Sequence, residues 1–249
     1  MPKLLSQSHI EKQVPVLVYR SVDSTNALAK RLVLKGESLP FLVAANGQTK
    51  GKGRQGKSFF SKQNCGIYMT LAVENSRLNP TLITAATAVA VARCLQAHTS
   101  SPCEIKWVND IFINGKKVCG ILCETVREPE SNRIKGYIIG IGINTDIKSF
   151  PDSIIDTACS VELKKGAKNA LTADIINHLL RLLDNENNDF LEEYRSLSCV
   201  LGKEIVFFKK GVPFSAVAVG IDDGGGLVVE LENCETRTLS GGEISLRIK

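Results

Sequence analysis

The segment Gly51-Lys52-Gly53-Arg54-Gln55-Gly56-Lys57 restricts the fold of this chain more than any other. It follows Phe41–Ala45, a short apolar run that reads as a buried strand, and precedes Gly66–Val73, which reads as another. The segment is therefore a loop between strands. Its glycines let the backbone adopt positive φ and approach a ligand closely. Lys50, Lys52, Arg54 and Lys57 place cations around the same backbone. Exposed N–H groups beside cations suit a phosphate-bearing anion; the plain alternative is a solvated, flexible loop. Gly51 and Gly56-Lys57-Ser58 also satisfy the spacing of a nucleotide-binding P-loop. That device requires a helix beginning at the lysine, so that its N-terminus meets the phosphates. Here Ser58-Phe59-Phe60-Ser61 leads through Lys-Gln-Asn-Cys-Gly into a strand pattern, which leaves no room for a helix. The P-loop match is read as coincidence.

Elsewhere the pattern is α+β. Asp23, Ser24 and Thr25 offer N-cap side chains to a helix that closes near Gly36. Pro80 opens an Ala/Val-rich helix to about residue 97. Strands are expected at 104–108, 111–113, 118–126 and 134–143, with Asn114-Gly115 as a type I′ hairpin turn. Residues 145–168 read as a mobile loop, and a single helix is expected over 172–194. After Ser198 the chain changes to short alternating runs separated by Lys-Gly, Asp-Gly-Gly-Gly and Ser-Gly-Gly turns, the mark of a small β module. The expected division is 1–198 for a catalytic domain and 199–249 for a C-terminal β domain.

Bulk properties narrow the function classes. With 249 residues, 43% hydrophobic and 23% charged, the chain has ordinary globular composition. No apolar run approaches the ~18 residues of a spanning helix, and the N-terminus lacks a signal-peptide pattern. A cytoplasmic protein with no membrane contact is expected. The eight cysteines include no Cys-x-x-Cys pair and the three histidines are scattered. Free thiols and no protein-bound metal are expected. A net charge of +5 without a basic stripe argues against nucleic acid.

Six motifs then occur in one order. Gly51-Lys52-Gly53-Arg54-Gln55-Gly56 resembles the G-R-G-R-x-G adenylate loop of biotin protein ligases. Asp23-Ser24-Thr25-Asn26 resembles that family's [DS]-S-T-N segment, and Lys106-Trp107-Val108-Asn109-Asp110 its K-W-P-N-D. Lys116-Lys117-Val118-Cys119-Gly120-Ile121-Leu122 matches K-[LV]-x-G-I-L, and Gly140-Ile141-Gly142-Ile143-Asn144 matches G-x-G-I-N. Residues 241–247 are similar to the end of the family's C-terminal domain. The resemblance implies a class II aminoacyl-tRNA synthetase-like mixed-sheet core with a small SH3-like β-barrel. It further implies an ATP-dependent ligase that forms biotinyl-5′-AMP and passes biotin to a lysine of a biotin carboxyl carrier protein. Mg²⁺ is implied in turn, brought with ATP.

The resemblance also assigns roles. Ser24, Thr25, Asn26 and Gln48 would contact the ureido ring, although Ser24 and Thr25 serve equally as helix caps. Lys52, Gly53 and Arg54 would fold over the biotinyl carbonyl and α-phosphate, with Gly51 beside them. Lys52 stands where the family has Arg, so the bidentate fork is missing there. Lys117 is expected at the reaction centre, stabilising charge on the reacting phosphate. Asp110 would hold or deprotonate the acceptor lysine. Asn109 would bind ribose, phosphate or Mg²⁺, and Trp107 would pack or touch adenine. Phe59 is read either as an adenine-side aromatic or as core. Asn144 would contact adenosine, and Arg247 would reach ATP from the β domain. Val108 replaces the family's Pro.

Three other readings compete. A lipoate-type ligase would carry R-R-x-S-G-G-G, which is absent. A DNA-binding repressor would need more than the twenty or so residues ahead of Ser24. A P-loop NTPase or nucleic-acid module is the third. Monomer and homodimer are both left open.

Overall fold

The computed structural model describes residue 10, residues 14–74, 77–185, 187–209 and 211–240, and the backbone of 245–248. In chain order the elements of the first part are β1 (Val16–Tyr19), α1 (Thr25–Leu34), β2 (Phe41–Ala45), β3 (Gly66–Val73), α2 (Pro80–Gln96), β4 (Cys103–Lys106), β5 (Asp110–Ile113), β6 (Lys116–Arg127), β7 (Ile134–Asn144), α3 (Ala167–Asp184) and α4 (Phe190–Ser196). The second part contributes β8 (Glu204–Lys209), β9 (Val212–Ile221), β10 (Leu227–Leu231), β11 (Thr236–Leu239) and β12 (Ser245–Ile248).

Seven strands form one mixed sheet in the order β1-β2-β3-β7-β6-β5-β4. Only β1 and β2 run parallel; the other neighbours are antiparallel. This is the class II aminoacyl-tRNA synthetase-like core. Its long central strands have a reason in sequence: β3 and β7 are apolar almost throughout and buried on both faces. One face carries α2, whose Ala/Val-rich surface is buried nearly all round and lets helix and sheet approach closely. The other face carries α1 over a smaller cluster of Ala29, Val33, Phe41, Val43, Ala72 and Ile138. The site described below lies on that second face. The remaining five strands make an antiparallel sheet, β11-β10-β9-β8-β12. Its inward residues, among them Ile205, Phe207, Ala218 and Val229, join the same buried cluster as α2.

Local chemistry explains most boundaries. Asn79 caps α2 through Leu82 N (2.9 Å), with Pro80 at the first helical position. Asn114 and Gly115 have φ of 51° and 73°, as a type I′ turn requires. All eight cysteines are free, and burial pushes Cys103 up to about 11 and Cys123 up to about 12. They behave as small apolar groups.

Two expectations need correction. The helix expected over 172–194 begins earlier, at Ala167, and breaks after Asp184; α4 restarts at Phe190. The Asn/Asp-rich residues between them bond to their own backbone, as Asn187 N does to Asn185 Oδ1 (3.1 Å). That local pairing competes with helix continuation. Residues 145–168, expected to be a mobile loop, are pinned to the sheet. Where β7 ends, Lys117 N donates to Thr157 O (2.8 Å) and Cys159 N to Lys117 O (2.9 Å). Val161 N then donates to Asn144 O (3.1 Å). The segment supplies the bonds that the start of β6 would otherwise lack.

Candidate active site

The site is assembled around a floor of glycines. Gly120 on β6 and Gly140 and Gly142 on β7 face α1 and the glycine-rich loop. A methyl group at Gly142 would lie 2.5 Å from the Phe59 ring, and one at Gly120 would lie 3.1 Å from Phe59 and from Lys117 Nζ. At Gly140 it would collide with Asn26 Oδ1. These glycines exist because side chains must descend onto the sheet.

Backbone pairing places the first wall. Thr49 N donates to Val22 O (2.9 Å) and Lys50 N to Asp23 O (2.8 Å), which sets Gln48 against the start of α1. Ser24, Thr25 and Asn26 are all buried there. Ser24 Oγ caps the helix by accepting from Ala27 N at 3.4 Å. Thr25 donates to Gln48 Oε1 from both its N (2.8 Å) and its Oγ1 (3.1 Å). Gln48 Nε2 in turn donates to Ser61 Oγ (2.8 Å). Asn26 is saturated: its Oδ1 accepts from Thr70 Oγ1 (2.7 Å), and its Nδ2 donates to Leu122 O (3.1 Å) and Glu124 Oε2 (2.9 Å). Asp23 is committed to Arg31, whose guanidinium holds the carboxyl down at about 2. The cavity enclosed by this wall, the floor and Phe59 is only about 20 Å³, room for about one water molecule.

The loop supplies the second wall. Phe59 N donates to Gly51 O (2.9 Å) and Gly53 N to Lys57 O (2.7 Å), folding it into a tight hairpin. A side chain on Gly51 would strike Phe59 O and lie 2.6 Å from Ser61 Oγ. Arg54–Gly56 is one 3-10 turn with positive φ at Gln55 and Gly56. Lys57 is extended, with ψ of 148°, so no helix starts at the lysine and the P-loop reading fails.

Behind the loop runs a chain of polar contacts. Arg54 Nη1 donates to Asn109 Oδ1 (2.9 Å). Asn109 Nδ2 donates to Asp110 Oδ1 (2.9 Å) and to Ile121 O (2.9 Å). Asp110 Oδ1 accepts the Lys117 ammonium at 2.7 Å. Arg54 Nη2 is shielded and has no partner among the described residues. Burial pushes this guanidinium below its ordinary range, with the charge of Asp110 opposing. The Trp107–Val108 peptide is cis. Tyr194, fully buried, donates from Oη to Val108 O (3.0 Å), and Trp107 Nε1 donates to Gly225 O in the β9–β10 turn (3.0 Å). A 240 Å³ cavity opens between the loop and the β4–β6 strands, and a 370 Å³ cleft lies on the far side of Arg54, under the start of α2.

The structure therefore brings together Ser24, Thr25, Asn26, Gln48, Lys52, Gly53, Arg54, Phe59, Asn109, Asp110 and Lys117 around adjoining cavities. Asn144 stands apart at the end of β7, donating to Cys159 O (3.1 Å) while its buried Oδ1 has no partner among the described residues. The side chain of Arg247 lies outside the described residues. Sequence reasoning missed Thr70, Glu124 and Tyr194. Glu124 had a signal: in β6 it follows Gly120 and Leu122 at period two and so shares their face.

The Biotin/lipoate A/B protein ligase family matches residues 18–144, and the biotin protein ligase C-terminal domain matches 200–247. The bifunctional ligase/repressor BirA of Bacillus spizizenii is 34% identical over 230 residues, which are 87% of this chain and 70% of that protein. The chain belongs to the biotin protein ligases. Among these ligases, the biotin–[acetyl-CoA-carboxylase] ligase of Mycobacterium tuberculosis is 26% identical, with 91% of this chain and 87% of that one covered. The Aquifex aeolicus biotin protein ligase, solved with biotin and ATP, superposes with a TM-score of 0.79 at 25% identity, covering 94% and 99%.

Proposed function

We propose that this ligase activates biotin with ATP and transfers it to a lysine of a carboxylase carrier domain. The observation that carries the reading is the junction of two unlike walls over one glycine floor. One wall is rich in neutral hydrogen-bonding groups and the other is cationic, with Lys117 at their meeting point, 6.0 Å from the Phe59 ring centre. A ureido ring needs the first and an acyl phosphate the second. For a bicyclic ligand to rest on the floor, Phe59 must swing off it, since the enclosed space is so small. Ser24, Thr25 and Gln48 then face the ureido group, while Asn26 holds the wall by its bonds to Thr70 and Glu124.

In the first step a biotin carboxylate oxygen attacks the α-phosphorus of ATP, the bond to the β-phosphate oxygen breaks, and pyrophosphate leaves. Lys117 stabilises the developing charge on the α-phosphate, and the Arg54 loop closes over the mixed anhydride. In the second step the neutral amine of the acceptor lysine attacks the acyl carbon, AMP leaves with the electron pair, and the amine gives up a proton. Asp110, a carboxylate paired with Lys117, would hold that lysine or take its proton. ATP enters as its Mg²⁺ complex; no group of three His, Cys, Asp or Glu that could hold a metal occurs among the described residues. The adenosine would reach Asn144 and the pinned 145–161 segment. This reading places the protein in the cytoplasm; no described helix is long and apolar enough to cross a membrane.

ATP–pyrophosphate exchange tests the reading. Exchange is expected with biotin and not with lipoate or without either acid. Exchange supported by lipoate alone would reverse the substrate assignment.

A further inference from the structure

Residues 107–109 join β4 to β5 beyond the last paired residues, Lys106 and Asp110, so no strand ladder fixes them. Yet Asn109 is the hub of the polar chain, accepting from Arg54 Nη1 (2.9 Å) and donating to Asp110 Oδ1 (2.9 Å). On the β6 side Ile121 holds it by backbone and side chain. The two residues before it are held from α4 and the β9–β10 turn. Tyr194, fully buried, donates from Oη to Val108 O (3.0 Å). Burial pushes its hydroxyl above the ordinary range, so it keeps the proton it donates. The next residue, Arg195, reaches the other way: Nε donates to Ile221 O (2.8 Å) and Nη2 to Asp223 Oδ1 (2.8 Å). The turn that follows closes on Asp222 Oδ1, which accepts from Gly224 N (2.9 Å) and Gly226 N (2.8 Å). It presents Gly225 O to Trp107 Nε1 (3.0 Å). Just past α4, Leu197 O accepts from Ile105 N (2.7 Å), and Cys199 N donates to Ile105 O (3.0 Å). A buried tyrosine needs an acceptor, which is the plain account of the Tyr194 bond. It does not account for two adjacent side chains of α4 securing the same connection, one directly and one through the β domain.

We propose that Tyr194 and Arg195 are positioning residues for adenylation: they hold residues 107–109 so that Asn109 meets Arg54 and Asp110 together. The inference rests on the ligase function proposed above and adds residues outside the cavities on which its rate depends. Polar groups stabilise a transition state only while their geometry is held, and a small misplacement costs rate. The biotin wall is built on α1 and Gln48, so biotin affinity does not follow.

The test uses the full chain, unaltered or carrying Tyr194→Phe, which deletes the hydroxyl alone, or Arg195→Met, which keeps a long stem. Competent sites are counted by calorimetric titration with biotin, and ATP–pyrophosphate exchange is measured per site. Tyr194→Phe is expected to lower exchange turnover by roughly three- to tenfold, one neutral hydrogen bond read as rate. The KM for biotin should stay within about twofold, as for an interaction felt only in the transition state. In an Asn109→Ala background the same substitution should change turnover by less than about twofold, because its route is gone. Equal turnover per site in Tyr194→Phe and unaltered protein would overturn the proposal, and so would full additivity with Asn109→Ala. Trp107 is the chain's one tryptophan, so its indole N–H gives a single NMR signal that needs no substrate. Arg195→Met should speed exchange of that proton with solvent at least about tenfold, the loss of a charged hydrogen bond. An unchanged proton exchange rate would likewise overturn the proposal. The Arg195 side chain is partly exposed, so Arg195→Met also carries the turnover test should Tyr194→Phe fail to fold. Absence of biotin-dependent exchange in the unaltered protein would instead sink the ligase reading, and the indole signal would still judge the hold of α4 on Trp107.

Discussion

The two walls of the site are built on opposite plans. On the Ser24–Asn26 side most polar atoms already have partners: Asn26 is saturated, Thr25 bonds twice to Gln48, and Gln48 bonds to Ser61. On the loop side, Lys52 and Lys57 are exposed, and Arg54 keeps a shielded Nη2 with no partner among the described residues. The ligands proposed for the two walls account for the difference. A neutral ureido ring gains only about 0.5–1.5 kcal/mol net from each hydrogen bond, so its wall must be rigid before it arrives. Phosphates bring their own charge and can organise loose cations on arrival. Substitutions on the first wall should therefore cost stability as well as affinity, and those on the second should cost rate while leaving the fold alone.

The largest effect tests the second wall. Lys117→Ala removes the ammonium that pairs with Asp110 at the proposed reaction centre. Adenylate formation should fall by roughly 10²–10³, measured as exchange rate, with biotin affinity changed only a few-fold. An unchanged exchange rate would remove Lys117 from the centre. Arg54→Gly comes next. It deletes the charged hydrogen bond to Asn109, a contact worth about 1.5–3 kcal/mol, and frees the loop. Adenylate should escape at least about tenfold faster by the same arithmetic, seen as biotinylation of bystander lysines. Retention as tight as in the unaltered protein would count against the loop as a cover.

The first wall is probed by Asn26→Leu. Its removal leaves the Thr70 hydroxyl and the Glu124 carboxylate without their partner under Gly140. A loss of roughly 1–3 kcal/mol is expected, or several degrees in Tm for a chain of this size, together with weaker biotin binding. If thermal melting shows no change while affinity collapses, the wall is not prebuilt and the contrast between the two sides fails.

The same contrast governed what could be read from sequence. The loop wall is local: Gly51 to Phe59 fold on one another, and Asn109, Asp110 and Lys117 lie within one hairpin, so motif spacing was enough to group them. The other wall depends on pairings across distant strands. Asn26 meets Thr70, 44 residues on, and Glu124, 98 residues on, and no local pattern announces such partners. Tyr194 reaches Val108 across 86 residues and read only as the end of a helix. In the fold, β2, β3 and the Asn114-Gly115 turn were legible because period and turn chemistry decide them. β11, with the polar sequence TRTL, shows no apolar alternation. The pinning of 145–161 depends on where β7 stops, which is a tertiary fact.

The smallest expected effect separates two duties of one hydroxyl. Ser24 caps α1, but its bond to Ala27 N is long at 3.4 Å, so the cap is near the low end of its usual worth, about 0.5 kcal/mol. Ser24→Ala removes both the cap and any ureido contact. Ser24→Gly removes the hydroxyl too, yet glycine is tolerated at an N-cap with a loss of only a few tenths of a kcal/mol. If the hydroxyl serves biotin, both variants should lose affinity by roughly two- to tenfold, the equivalent of one neutral hydrogen bond, while only Ser24→Ala melts measurably earlier. Affinity that falls in step with melting temperature across the pair would make Ser24 a cap alone, and the ureido ring would then depend on Thr25 and Gln48.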